Sequence, residues 1–192
     1  MLQLDDAEHE RRCAAGLSVA TGHGFGGLNV LMALAPARPA RSDLGPHRSS
    51  ACLRRAPAGI CTLTREHVVR HVTRPCRVSL ATVRARSAST PALDAVSEFA
   101  PFCARRVINT RAPSLRIPEQ LLEFGFYGIG VCLQHADGDL EMLVEPRPWR
   151  PKRPHTTDCW WFAETAYARF LKQSPTDPSG LSLTPSRPDL CN

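Results

Sequence analysis

Seventeen prolines set where this 192-residue chain can hold regular structure. Each removes a backbone donor and fixes φ, which disfavours it inside a helix or a central strand. Many are gathered in runs: Pro36, Pro39, Pro46 and Pro57; Pro146, Pro148, Pro151 and Pro154; and Pro175, Pro178, Pro185 and Pro188. From Pro36 to Pro57 the intervening residues are mostly arginine, serine and alanine, with too little bulky apolar surface to offset the entropy of ordering. That stretch reads as a linker, and the tail after Ser174 as disordered. The apolar fraction of 43% does not argue otherwise, because alanine inflates it and only 6% of residues are aromatic.

Structure is expected in the gaps between these runs. Ala14 to Ala20 and Leu28 to Ala35 read as two strands joined by a loop at Gly22, Gly24, Gly26 and Gly27; the second is apolar almost throughout, as a strand covered on both faces would be. Thr64 to Val72 carries Leu63, His67, Val68 and His71 at helical spacing, with Thr64 as N-cap. Arg77 to Arg84 alternates like a half-buried strand. A second linker follows at Arg-Ser-Ala-Ser-Thr-Pro, and then a helix from Ala92 to Phe102.

The best-organised segment is 117–173. Pro118 sits in the first turn of a short helix that Gly125 follows, and Asp137-Gly138 marks a type I′ hairpin turn. That turn sets Leu133 opposite Met142 and Val131 opposite Val144, with Tyr127, Ile129, Val131, Leu133, Leu140, Met142 and Val144 on one face. A helix begins at Thr157 and runs to about Gln173, its stripe of Cys159, Phe162, Ala163, Ala166, Tyr167 and Phe170 suited to lie across that face. The expected class is therefore α+β and partly disordered: an N-terminal β-hairpin over 1–36, a poorly ordered proline- and arginine-rich middle with short elements over 37–115, a helix-hairpin-helix unit over 116–173, and a disordered tail over 174–192.

The formal charge is +6, and Lys152 and Lys172 are the only lysines, so arginine carries almost all of the positive charge. Arginine offers planar, bidentate contacts to phosphate that lysine lacks, but here it is scattered singly and in pairs without a basic block. Eight cysteines at wide, irregular spacing do not form a disulfide framework. The N-terminal Met-Leu-Gln-Leu-Asp-Asp is acidic where a secretory leader is basic, and no run approaches the ~18 apolar residues of a membrane span. The expectation is a cytoplasmic protein with reduced thiols and no membrane partner.

Thr21-Gly22-His23-Gly24-Phe25-Gly26-Gly27-Leu28-Asn29-Val30 resembles the C-terminal signature of β-ketoacyl-acyl-carrier-protein synthases, Asn-Ser-Phe-Gly-Phe-Gly-Gly-x-Asn followed by a buried strand. The resemblance covers about residues 12–35 and departs from the pattern at Thr21, Gly22 and His23. It implies a mobile loop beside an acyl pocket, with Phe25 as the substrate-gate equivalent among Gly24, Gly26, Gly27 and Asn29, and an acyl carrier or a synthase as partner. The family's nucleophilic cysteine and two histidines lie further upstream of the signature than Met1 allows. The resemblance thus implies a non-catalytic remnant associated with fatty-acid or polyketide biosynthesis.

Two other constellations invite chemistry. Cys61, His67, His71 and Cys76 have metal-ligand side chains, yet without a paired Cys-x-x-Cys they read as ordinary residues, and neither a metal nor a cofactor is expected. Trp149, Trp160 and Trp161 lie near Arg147, Arg150, Lys152 and Arg153, where rings would stack bases while cations hold phosphates. The competing assignment makes the tryptophans core and the Arg-Pro segment a solvated loop. No nucleophile elbow or phosphate loop is present, and His135 beside Asp137 and Asp139 is a turn. The alternative to a synthase remnant is therefore a small arginine-rich nucleic-acid-binding protein.

Overall fold

The computed structural model describes residues 1–17, 27–41, 52–111, 117–150 and 156–173. The tail from Ser174, residues 18–20 of the expected 14–20 strand and residues 42–51 of the expected 36–57 linker lie outside them. In chain order the elements begin with β1 (Leu2–Leu4), α1 (Asp6–Ala14), α2 (Leu28–Ala33), β2 (Pro39–Arg41), β3 (Cys61–Leu63), β4 (His67–Arg70) and β5 (Cys76–Val78). They continue with β6 (Leu80–Ala85), α3 (Thr90–Ser97), β7 (Ala104–Asn109), α4 (Ile117–Phe126), β8 (Ile129–Gln134), β9 (Leu140–Val144) and α5 (Thr157–Gln173). The fold is α+β, with sheets of two, three and four strands among the described residues.

The four-stranded sheet, in the order β6-β7-β8-β9, carries the site described below. The first three strands are parallel and β9 returns antiparallel. Parallel neighbours need a long crossover, which α3 and α4 supply. Pro91 and Pro118 stand in the first turns of these helices, where a missing N–H leaves no bond unmade. Val83, Val107, Ile129 and Val131 point to the helix-covered face and pack against Leu93, Val96, Leu121 and Phe124.

The β8–β9 hairpin forms, but its turn differs from the expected one. His135 N donates to Asp139 O at 2.8 Å and Gly138 N to His135 O at 3.0 Å, with Gly138 at φ +98. This is a three-residue loop closed by a left-handed glycine, one residue longer than a type I′ turn. The register near the turn slips accordingly: Cys132, rather than Leu133, faces Met142, and Leu133 faces Glu141. A bulge between Val131 and Cys132 then restores the expected Val131–Val144 pair. Leu140 and Met142 consequently fall on the face of Gln134 and Cys132, outside the helix-covered core.

Beyond β9 the chain stays against β8, with Arg147 N donating to Gly128 O at 3.1 Å. A Cβ added at Gly130 would lie 2.8 Å from Pro146 Cδ and 2.9 Å from its backbone nitrogen. Gly130→Ala must push this strand away, and a stability loss of about 1–3 kcal/mol in urea unfolding is expected.

Other segments depart from their expected structure. The N-terminal β-hairpin is absent from the described residues: Leu28–Ala33 is the helix α2, with Leu28, Leu31 and Leu34 buried at spacings of three. α1 precedes it, capped by Asp5, whose side chain accepts from Glu8 N at 3.0 Å. The segment expected as a helix from Thr64 is instead the β3–β4 hairpin, in which Thr64 N donates to His67 O at 2.8 Å and Thr64 Oγ1 accepts from His67 N at 2.9 Å. Its i, i+3, i+4 spacing was equally compatible with Val68 and Arg70 turning inward as alternate strand residues. The middle of the chain therefore supplies β2 to β7 rather than only short elements in a poorly ordered stretch. The helix-hairpin-helix unit does not pack as one body either. α4 covers β8 and β9, whereas α5 packs on β5 and α2.

What holds α5 there is a buried ionic cluster. Arg12, fully buried, donates to Glu8 Oε1 at 2.6 Å, to both oxygens of Glu164 at 2.7 and 2.8 Å, and to Thr73 O at 3.0 Å. Trp160 Nε1 donates to Glu164 Oε1 at 2.9 Å, and the Arg12 guanidinium lies 5.2 Å from the centre of the Tyr167 ring. Burial pushes the Glu8 carboxyl up, but hydrogen bonds from Arg11 and Arg12 outweigh it and hold the group below its usual range. Beside the cluster, burial drives the Cys76 thiol up from 9.0 to about 11 and the Tyr167 phenol up from 10.0 to about 12.

Both groups are more acidic in the unfolded chain than in the fold. Their contribution to stability is complete below about pH 9 and is lost as the pH rises through about 11 and then about 12. The urea midpoint is expected to fall steeply between pH 9 and 11 in the native protein. It should fall less in a Cys76→Ala, Tyr167→Phe variant, measured relative to that variant's own value at pH 8.

Candidate functional site

Parallel β7 and β8 begin at the same edge of the sheet, and antiparallel β9 ends there, so three chain segments converge on it. Between them lies a cleft of about 490 Å³ lined by Cys103, Ala104 and Arg105, by Tyr127 and Gly128, and by Arg147, Pro148, Trp149 and Arg150. Its polar lining is cationic, with three arginines and no carboxylate.

Each part is held by backbone contacts. Arg105, at the second residue of β7, donates from NH2 to Tyr127 O at 2.7 Å, tying the rim of β8 to β7. Gly128 has φ +68, a backbone that admits few other residues, and a Cβ there would lie 2.9 Å from Arg147 Cβ. Arg147 can therefore cross the strand entrance closely. Trp149, half-buried, donates from Nε1 to Ala100 O at 3.1 Å, which fixes its indole without consuming the ring face.

Among the described residues none of Arg105, Arg147 and Arg150 has a carboxylate partner. Burial lowers the Arg105 guanidinium below its usual value; the neighbouring Arg147 charge lowers it further, against an opposing effect of Cys103. Like charges collected without counter-charges leave a place where an anion is stabilised on arrival. Cys103 is fully buried and its thiol is pushed up by that burial, so it is held as a neutral thiol, a poor nucleophile.

Of the residues singled out in the sequence, the structure brings Arg147, Trp149 and Arg150 together in this cleft, while Lys152 and Arg153 lie outside the described residues. Trp160 belongs to the core, hydrogen-bonded to Glu164, and Trp161 is exposed on α5 away from the cleft lining. Sequence reasoning missed Arg105 and Tyr127, whose position depends on which strands start side by side. Of the gate-equivalent residues, Phe25, Gly24 and Gly26 lie outside the described residues. Gly27 caps α2, and Asn29 Oδ1 accepts from Thr157 Oγ1 at the start of α5. Asn29 therefore joins two helices where a buried strand was expected.

The remaining candidate cluster is dispersed. Cys61 Sγ points to Leu53 O at 3.9 Å, His71 Nε2 meets Thr62 Oγ1 at 2.7 Å, and Cys76 Sγ donates to Ala163 O at 3.3 Å. Among the described residues no three His, Cys, Asp or Glu side chains converge as a metal site would require. Among the described residues, too, no helix is long and apolar enough to cross a membrane. No protein-family model matches the chain, and comparison with curated proteins and with solved structures finds no match.

Proposed function

We propose that the protein is a non-catalytic nucleic-acid-binding protein that holds the phosphate backbone in the cleft at the amino ends of β7 and β8. The observation that carries this reading is the set of three arginines, without carboxylate partners among the described residues, around one cleft that also contains Tyr127 and Trp149. Arginine forks hold phosphate oxygens bidentately, and an indole fixed by its own N–H presents a ring face to a base. Among the described residues that line the cleft, the thiol of Cys103 is buried and held neutral, which favours holding a ligand over transforming it.

Fluorescence anisotropy with a labelled oligodeoxynucleotide of roughly 12 residues, a length within the usual site size, tests it. Three phosphate contacts on a single strand give a slope of about −2 in log affinity against log salt. Raising the salt from roughly 50 to roughly 200 mM is then expected to weaken binding about 20-fold. Salt-insensitive binding, or none at the lower salt, rules the proposal out.

A further inference from the structure

The rim of the cleft continues into an aromatic surface that the core does not use. Phe126, the last residue of α4, is 76% exposed, and Tyr127 beside it is 49% exposed; their rings meet edge to face at 5.2 Å between centroids. Leu122, one turn earlier on the same helix face, is 73% exposed. α4 meets the sheet through Leu121 and Phe124 instead, so Leu122 and Phe126 are not required for its packing.

In a chain with so few aromatic residues this placement is costly, because other rings are gathered against each other. Phe162 stacks on Phe102 at 4.5 Å and meets Phe99 at 6.1 Å, and Tyr167 stacks on Phe170 at 6.5 Å. Phe126 alone among the described phenylalanines is left with most of its surface in water. It stands next to the residue whose carbonyl Arg105 holds, on the side of the cleft formed by Tyr127.

We infer that Phe126 and Tyr127 form a stacking shelf for unpaired bases, so that the nucleic acid taken by the arginine cleft is single-stranded. The inference rests on the nucleic-acid reading of the cleft and adds to it the state of the bases. Arginines hold the backbone of any nucleic acid, but an exposed ring can meet a base face only where that base is not already stacked inside a duplex. Tyr127 lines the cleft itself, which makes shelf and cations one continuous surface. That continuity favours a polyanion carrying flat apolar groups over a protein partner, which would meet three arginines with no carboxylate partner among the described residues at the edge of its apolar contact.

The test compares a single-stranded oligodeoxynucleotide, the duplex of the same length and inorganic polyphosphate, each against the native chain, Phe126→Ala and Phe126→Leu. Both substitutions are at an exposed position and leave the core contacts of α4 in place. The expected result is tighter binding of the single strand than of the duplex or polyphosphate, with either substitution weakening the single strand about 5- to 100-fold and leaving polyphosphate unchanged. Equal affinity for all three polyanions, unaffected by Phe126, overturns the shelf while leaving the arginine cleft standing. Failure of all three to bind removes the cleft reading as well. If Phe126→Ala instead lowers the mass of a self-associated native protein in sedimentation, the surface is a contact between copies and the inference is wrong.

Discussion

Replacing Arg12 with methionine is expected to cost about 3–5 kcal/mol, the usual penalty for leaving buried charges without their partner. Against a typical total of about 5–15 kcal/mol for a single domain, this leaves much of the fold near its unfolding threshold. The reason lies in the geometry. Arg12 reaches both Glu8 and Glu164 at 2.6 to 2.8 Å, and Glu164 is fully buried beneath Trp160. Arg11 reaches Glu8 but makes no contact with Glu164. Removing Arg12 therefore takes two charge-assisted hydrogen bonds from the buried Glu164 carboxylate.

The mechanism predicts two accompanying results. In urea unfolding, the loss should shrink as the pH falls below the usual glutamate range, because the stability Glu8 draws from Arg12 is present only while its carboxylate is ionised. Changing Glu164 to methionine in the Arg12→Met background should recover part of the stability, since an apolar pair avoids the buried charge altogether. A loss that is independent of pH and unrelieved by the second substitution would mean that Arg12 acts by filling space alone.

The largest expected functional effect belongs to Arg147→Glu with Arg150→Glu. Two of the three cations of the cleft become anions, and the third, Arg105, is already engaged with the Tyr127 carbonyl. Binding of a short single strand is expected to fall about 100-fold or more at low salt, and the salt slope to drop from about 2 toward zero. Both side chains are exposed and have no carboxylate partner among the described residues, so the unfolding free energy in urea should stay within about 0.5 kcal/mol of the native value. The lysine pair, Arg147→Lys with Arg150→Lys, keeps the charge and should retain most of the salt slope while losing bidentate geometry. Unchanged affinity in the glutamate pair would place any nucleic-acid binding elsewhere on the chain.

Local chemistry made several elements legible in the sequence. Pro118 opens α4, although the helix continues through Gly125 to Phe126 and the left-handed glycine beyond it is Gly128; the apolar stripe of α5 runs to Gln173, and Asp137-Gly138 does close a hairpin whose far end pairs Val131 with Val144. The near end slipped because Asp-Gly serves both a two-residue turn and a three-residue loop with glycine in the left-handed region, and only the flanking ladder selects between them. Asp5 and Glu8 carried a readable N-terminal helix signal, capping residue and glutamate three positions later, that the acidic start obscured. At Leu28–Ala33 the opposite held. A segment apolar at nearly every position has no period to read, and the burial of Leu28, Leu31 and Leu34 became visible only against Val68, Val72 and Trp160.

The candidate site divides along the same line. By itself the sequence determined that Arg147, Trp149 and Arg150 stay close together, since prolines on either side hold the segment extended and local spacing cannot change. It determined also that α5 would have one apolar face. Only the tertiary structure decided what that face meets, and that Arg105 and Tyr127, 42 and 20 residues before Arg147 in the chain, complete the cleft. Proximity of that kind comes from strand order. Two parallel strands must begin at one edge and an antiparallel third must end there, and that order is set by which side chains bury best together rather than by any short motif.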